Sequence, residues 1–472
     1  MTLMTTVEQL QHHTAHLKGG GKIVVIDSGA VLNAEMTSML QALHSRSTGG
    51  IDAHLAVLAK RGAEGFMKTY YVGYGHKSIG DCGMAVVFIE GVSMLAAKAI
   101  QDSPLYNGQE ASTRYIPFDR QPFIDPLNTK ASEVILENWR QFYLKSVTEM
   151  KIEIKRRHPF NPDDYPLNKD GSEKSEEKKK EIWENASNAR AFDVTRGFLP
   201  AGVSTNLAWT TTLRQFADRI TILRHHPLEE VREIAEQLED AMIATHPNSF
   251  SKKRYPETEG YLGGTAQDCY YYHDPKSPEM ELVHDGINAK GIMSDLRYQK
   301  LMASRPAKIE LPKWLGVYGV ATLAFTLDFG SFRDVQRHRA VMQRMPLLTT
   351  DLGFHEWYLG ELTESLQDEA IAFIASQKVA TDALAADAPV LQYYLPMGYK
   401  ISNYLTGDLP ALTYLIEIRA TSMVHPTLAF QAEKMAHILE ARYGHLGLQI
   451  RLGSVAGKFD IGRGEATITK VN

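Results

Sequence analysis

Cysteine is almost missing from this chain of 472 residues, which has only Cys82 and Cys269. Two thiols supply neither a disulfide framework nor a four-thiolate metal site, and no metal ligand set is expected. A reducing, cytoplasmic setting is the simplest reading. Long apolar runs are missing too. No stretch reaches the ~18 consecutive apolar residues of a membrane span. The first residues, MTLMTTVEQLQHHTAHLKGGGKIVV, hold no apolar run behind a basic start, so no secretory signal is expected. Nor does one sign of charge dominate. Lys plus Arg number 51 and Asp plus Glu 56, a net charge of −5, which does not steer a whole protein to nucleic acid. An anionic ligand would need a local arginine cluster acting against that field.

What is present is ordinary globular material, 44% hydrophobic and 23% charged, so a sizeable core is expected. The length suits about two to four domains. Residues 1–20 read as a polar leader with little structural information. Lys22 to Ile26 and Met84 to Ile89 read as buried strands, and 35–70 as helical. Leu136, Trp139, Tyr143, Val147 and Met150 step by three or four residues, the mark of an amphipathic helix. Val231, Ile234, Leu238 and Met242 mark another. The charged run 169–181 reads as a solvated loop or helix start. Residues 246–292, rich in Gly, Tyr, Pro and Asp, read as a linker or surface excursion.

The chain also reads as one pattern written twice. Leu199-Pro200-Ala201-Gly202 leads to Arg224, His226-Pro227 and an amphipathic helix. Leu395-Pro396-Met397-Gly398 leads to Arg419, His425-Pro426 and another. Upstream, Phe88 to Ser93 resembles Phe325 to Ser331. The upstream pair is spaced more widely than the prolines, which places an insertion in the first half around 151–190. The expectation is two diverged copies of one fold, 1–250 and 251–472.

Three segments could carry chemistry. Gln336-Arg337-His338-Arg339 follows Arg333, which would share a helix face with Arg337. Arginine forks match phosphate oxygens, although such a run can equally be a solvated basic face. Gly75-His76-Lys77-Ser78 precedes the 84–89 strand. Glu110-Ala111-Ser112-Thr113-Arg114-Tyr115 could form an anion cradle or an ordinary polar loop. Cys82 reads as a small buried hydrophobe rather than a nucleophile.

Together these segments resemble the flavin-dependent thymidylate synthases. That family carries Gly-His-x-Ser/Thr, a helix ending in Arg-His-Arg, a loop Asn-Glu-x-Ser-x-Arg-Tyr, then Arg-x-x-Leu-Pro and a later arginine. The first half resembles it at Gly75 to Ser78, Glu110 to Tyr115, Arg196 to Pro200 and Arg224. It departs at Arg-His-Arg, where it has Gln101-Asp102-Ser103, and Gln109 stands for the loop asparagine. The second half keeps Arg337-His338-Arg339 and Arg419. It lacks the Gly-His element and the Ser-x-Arg loop, and Gln392 replaces the arginine before Leu-Pro.

The resemblance implies an α+β fold in each half, a mixed sheet flanked by helices. It implies methylation of dUMP to dTMP with FAD, methylenetetrahydrofolate as co-substrate and NADPH. Family enzymes are homotetramers with sites shared between subunits. The complementary losses therefore imply a composite site, in a homodimer that mimics the tetramer; decay of both sites is the rival. The implied roles are catalytic for Arg224 and Arg419. They are cofactor-binding for His76, Ser78, Arg337, His338, Arg339 and His425. They are substrate-binding for Gln336, Glu110, Ser112, Arg114 and Arg196. Alternatives are a related pyrimidine-nucleotide modification such as hydroxymethylation, or a non-catalytic nucleotide-binding homologue.

Overall fold

The computed structural model describes the chain apart from residues 1–10, 27–31, 46–50, 74–76, 115–117, 166, 169, 454–456 and 467–472. It divides into two compact units. The first comprises 1–111, 121–126 and 203–270; the second comprises 112–120, 127–202 and 271–472.

The first unit is built on five strands: β1 (His12–His16), β2 (Lys22–Ile26), β3 (Met84–Ser93), β4 (Asn107–Glu110) and β5 (Ser204–Thr212). Their order is β1-β2-β3-β5-β4, antiparallel throughout. The polar segment near the start is thus partly an edge strand, because β1 pairs with β2 from His12 opposite Ile26 to His16 opposite Lys22. Strand side chains alternate between faces, and Val87, Ile89, Leu207 and Trp209 turn inward, nearly fully buried. Val231, Ile234, Leu238 and Met242 of the helix Glu229–Thr245 are fully buried, as their spacing predicts. The span 35–70 holds helices Ala34–His44 and Ile51–Arg61 rather than one run. The expected linker at 246–292 is largely structured, beginning with the helix Pro256–Cys269, which Pro256 can open because its missing N–H is not needed there.

The second unit holds β6 (Tyr271–Tyr272), β7 (Met280–Asp285), β8 (Val320–Asp328), β9 (Met342–Gln343), β10 (Met345–Pro346) and β11 (Lys400–Asp408). Its main sheet runs β7-β8-β11-β9, antiparallel, and β6 pairs parallel with β10. The helix Lys130–Arg157 starts at a capping box between Thr129 and Ser132. It buries the Leu136 to Met150 stripe, and Trp139 meets Phe373 edge-on at 4.9 Å. The charged run then enters the helix Glu176–Thr195.

One order of elements occurs in both units. β3 and β8 each run into a helix capped by the strand's last residue, Ser93 or Asp328. β5 and β11 have nine residues each, and each leads into an 11-residue helix capped by Thr212 or Asp408. A longer helix follows, Glu229–Thr245 or Pro426–Tyr443. The unit boundary does not follow the division at 250, since 127–202 lies in the second unit. The reason is packing: Trp139 and Phe142 pack on Phe373, and Asp193 holds Arg463.

Within the second unit the two Leu-Pro segments pair with each other. Pro200 faces Pro396 in an antiparallel bridge. Ala201 N donates to Leu395 O at 2.9 Å, and Met397 N to Leu199 O at 2.8 Å. The backbones approach so closely that a Cβ on Gly398 would lie 2.8 Å from Gly197 O and 2.4 Å from the Phe354 ring. Gly398→Ala is therefore expected to lower stability by about 1–3 kcal/mol, the usual range for overpacking. A denaturant midpoint equal to that of the parent protein would refute it.

Candidate functional site: an arginine cluster in the second unit

Asp328, the last residue of β8, caps the helix Phe329–Val335 by accepting from Ser331 N at 2.8 Å. That short helix fixes Arg333 and Asp334. It stops at Val335, so Arg333 and Arg337 do not share a helical face: Arg333 is buried and Arg337 exposed. Arg333 Nη1 donates to Thr113 Oγ1 at 3.1 Å. Arg114 grips Asp193 with a fork, Nε at 2.7 Å and Nη2 at 3.0 Å. Ser112 Oγ accepts from Arg114 N at 3.3 Å and so shapes the turn. The first-half loop thus sits directly on the second-half arginine helix.

Asp193 is fully buried and also accepts from Arg463 Nη1 at 2.5 Å. Burial alone would raise its pKa, but Arg114 and Arg463 outweigh it and hold the carboxyl well below the ordinary range. Asp334 behaves similarly: burial opposes ionisation, and Arg337, Arg419 and Arg114 more than restore it.

Arg419 closes the helix Leu409–Arg419 and reaches back. Its Nε donates to His338 Nε2 at 2.8 Å and its Nη2 to Asp334 O at 2.8 Å. Burial lowers the Arg419 pKa, with repulsion from Arg337 and Arg114 adding to it. His338 is pulled down to about 3, first by burial and then by Arg419. Because its Nε2 accepts from a guanidinium, the imidazole is neutral and carries its proton on Nδ1. Arg337 and Arg339 remain exposed beside this group. Cations crowded and partly stripped of water are stabilised by an anion, which is what the site can chemically hold.

Other expected residues are committed elsewhere. Arg196 is 2% exposed and donates to Ser331 Oγ at 2.7 Å, with Asp328 at 3.8 Å, so its guanidinium braces the fold instead of facing a substrate. His425 is fully buried. Its Nε2 lies 3.2 Å from Asp193 O, and burial, then Arg196, push its pKa far down. It is a neutral internal strut, not an open cofactor contact. Gln336 is buried, with its Nε2 3.8 Å from Met345 Sδ.

In the first unit, Arg224 holds Glu239 at 3.0 Å and Glu259 at 2.7 Å. It occupies the place in the element order that Arg419 has, yet carboxylates surround it. Glu110 is buried against Lys98 Nζ at 2.6 Å, and Gln101 Nε2 donates to it at 3.0 Å. The position where Arg-His-Arg would stand is therefore filled internally. Ser78 is exposed in the 3₁₀ helix Lys77–Cys82, and His76 lies outside the described residues. Cys82 is half-buried rather than buried, and burial raises its thiol pKa, which disfavours the thiolate.

Sequence reading missed Asp193, Asp334 and Arg463. A signal existed: Asp193-Val194-Thr195-Arg196 and Asp334-Val335-Gln336-Arg337 share an Asp-Val-x-Arg pattern.

Residues 32–248 match the thymidylate synthase complementing protein family. The family that the first-half motifs resemble is the one whose model matches these residues, just under half of the chain. The chain is 24% identical to the UPF0159 protein Ta1429 of Thermoplasma acidophilum, over 86% of this chain and 92% of that one. It is 26% identical to a UPF0159 protein of Chlamydia muridarum, over 79% and 78%. Among solved structures it resembles thymidylate synthase X from Helicobacter pylori, with FAD and dUMP, at 16% identity and a TM-score of 0.24, over 45% of this chain and 86% of that one. It also resembles the UMP/dUMP methylase PolB from Streptomyces cacaoi, bound with 5-Br UMP, at 14% identity and a TM-score of 0.25, over 52% and 97%. No helix among the described residues is long and apolar enough to cross a membrane.

Proposed function

We propose that this chain is a tandemly duplicated, flavin-dependent thymidylate synthase-like enzyme that methylates dUMP to dTMP. The observation that carries the reading is the first-half loop seated on the second-half arginine helix, Thr113 on Arg333. Each half keeps what the other has lost, and the two remnants meet within one chain. A homodimer would then carry two such sites, as a mimic of the tetramer.

The donor set fits FAD and a nucleotide phosphate. Arg337 and Arg339 offer exposed guanidinium forks, and the lowered pKa of Arg419 marks a cation that gains from a neighbouring anion. Bound there, FAD would supply hydride and electron transfer, with NADPH as reductant and methylenetetrahydrofolate as one-carbon donor. Arg419 faces the developing negative charge on the pyrimidine, where a preorganised cation has its largest effect. Neutral His338 keeps Arg419 in place by accepting from its Nε, and can donate from Nδ1. Arg114 orders the loop through Asp193 and adds its charge to the phosphate side. Arg224 is left to the fold of the first unit.

The test is a visible spectrum after FAD addition and desalting, with and without dUMP. Retained flavin absorbance that shifts with dUMP is expected. Arg337→Ala and Arg339→Ala should each weaken dUMP binding about tenfold, the usual effect of losing a charge-assisted hydrogen bond. No flavin under either condition would instead favour a non-catalytic nucleotide-binding homologue. That second reading has one observation on its side: the Arg114 fork is already occupied by Asp193. Mass analysis of the nucleotide product separates methylation from hydroxymethylation.

A further inference from the structure

A second cavity, of about 610 Å³, opens in the same unit and is used by none of the residues assigned above. Its walls come from the stretch Arg157 to Tyr165, from Trp183 in the helix Glu176–Thr195, from Ser422, and from the tail Lys458 to Ile461. Four of its lining residues, His158, Tyr165, Trp183 and Phe459, carry flat rings. His158 stacks on Phe459 with ring centres 4.2 Å apart and planes 8° from parallel. Trp183 and Tyr165 line the cavity beside them. The polar edge of Trp183 is already used, since its Nε1 donates to His158 O at 2.8 Å, and Lys155 Nζ lies over the ring 5.3 Å from its centre, so what Trp183 offers a ligand is the ring face away from Lys155.

Charge and hydrogen-bonding groups sit at the edge of this aromatic slot. Lys458 is exposed at the rim and forms no ion pair with any described residue. Asp164 lines the cavity too, and it accepts from Asn161 through Oδ1. The floor is tied to the arginine cluster. Ser422 lines the cavity and donates to Asp460 Oδ2 at 2.5 Å, while the next residue, Met423, accepts from Arg114 Nη1 at 3.1 Å. Asp460 O accepts from Arg463 N at 3.2 Å, and Arg463 holds Asp193.

We infer that this cavity is a second ligand site, for a flat nitrogen heterocycle carrying an anionic tail. The volume is in the range of small-molecule sites. Ring faces supply stacking, which tolerates any flat heterocycle. Asp164 accepts from a ring amino group, and Lys458 meets the tail. Such chemistry belongs to a purine nucleotide or to a pteridine bearing carboxylates. Because Ser422 and Asp460 touch both the cavity and the network that holds Arg114, an occupant there bears on the order of the Ser112 to Arg114 loop. The inference needs no flavin and stands or falls apart from the proposed reaction.

The experiment titrates the full-length protein, without FAD, with AMP in one arm and folic acid in the other, and follows binding by calorimetry. Saturable binding of either probe is expected, and the arm that binds identifies the source of the heterocycle. Lys458→Ala, at an exposed position that should not disturb folding, should weaken binding about three- to fivefold. Trp183→Phe should keep a weakened site, and Trp183→Ala should lose at least about tenfold. Arg339→Ala, which alters the arginine cluster and not this cavity, should leave the affinity unchanged. Absence of binding by both probes overturns the inference. So does binding that is indifferent to Lys458 and Trp183, or that falls with Arg339→Ala, since the probe would then be in the arginine site.

Discussion

Lowering the pH from 8 to 5 is expected to remove at least about 4 kcal/mol of folding stability, shared unequally between the two units. Histidines held neutral by burial cause this, with His355 and His158 of the second unit shifted the same way. His226 in the first unit is pushed down to about 3 by burial, with Arg219 and Arg232 adding to it. His338 in the second is pulled to about 3 by burial and Arg419. His425 in the second lies well below its ordinary value through burial and Arg196. Each folded pKa is depressed below the unfolded value of about 6.5. Between those values the unfolded chain binds a proton that the folded chain refuses, so stability rises with pH there and is lost as pH falls below about 6.5. One proton corresponds to about 1.4 kcal/mol per pH unit, or about 2 kcal/mol by pH 5 for each of His226 and His338, and His425 adds to this in the same direction. Asp193 and Asp334, whose pKa values are also lowered, keep their charge in this window; their contribution is lost only below about pH 4. Urea unfolding between pH 8 and 5 checks the expectation, and the second unit should lose more than the first. A flat profile would mean that these imidazoles reach water. His338→Asn should flatten the slope of the second unit by about one proton.

The same burial explains what the sequence could and could not disclose. Elements with a single period were legible. The Leu136 to Met150 stripe and the Val231 to Met242 stripe became buried helix faces, because one face had to leave water. Turn and edge chemistry was not. The strand His12–His16 has no apolar alternation, and it exists because β2 offers a free edge. The segment 246–292 reads as a linker by composition, but Gly260, Tyr261, Gly263 and Gly264 lie in a helix, Tyr271 and Tyr272 form a strand, and a further strand follows at Met280–Asp285. At the site, motif spacing singled out Arg337, His338, Arg339, Arg419 and Arg114. It could not tell an arginine that greets an anion from one that is already paired. Arg224 and Arg419 follow the same local pattern and meet opposite fates, one among glutamates and one among arginines. That distinction depends on Glu259, 35 residues beyond Arg224, and on Asp334, 85 residues before Arg419. No local pattern contains such partners.

Asp193 is the residue whose loss should cost most. It is fully buried between Arg114 and Arg463, and its backbone carbonyl also takes His425 Nε2. Asp193→Asn keeps the shape and the carbonyl but removes the charge that the Arg114 and Arg463 guanidinium groups share. Breaking one side of a buried pair in this way costs about 3–5 kcal/mol, far more than a surface pair contributes. The second unit should therefore unfold at a clearly lower denaturant concentration while the first is little changed. Removing one orphaned cation should relieve part of the damage, so Asp193→Asn combined with Arg463→Met is expected to be more stable than Asp193→Asn alone. The coupling has a functional side, because the same carboxylate fixes the Arg114 loop. In the double variant Arg114 is no longer held by a fork, and dUMP binding should weaken even where the fold is recovered. Additive losses in the double variant would show that the two arginines do not share Asp193. Full dUMP affinity would show that the loop is ordered by Thr113 and Arg333 without it.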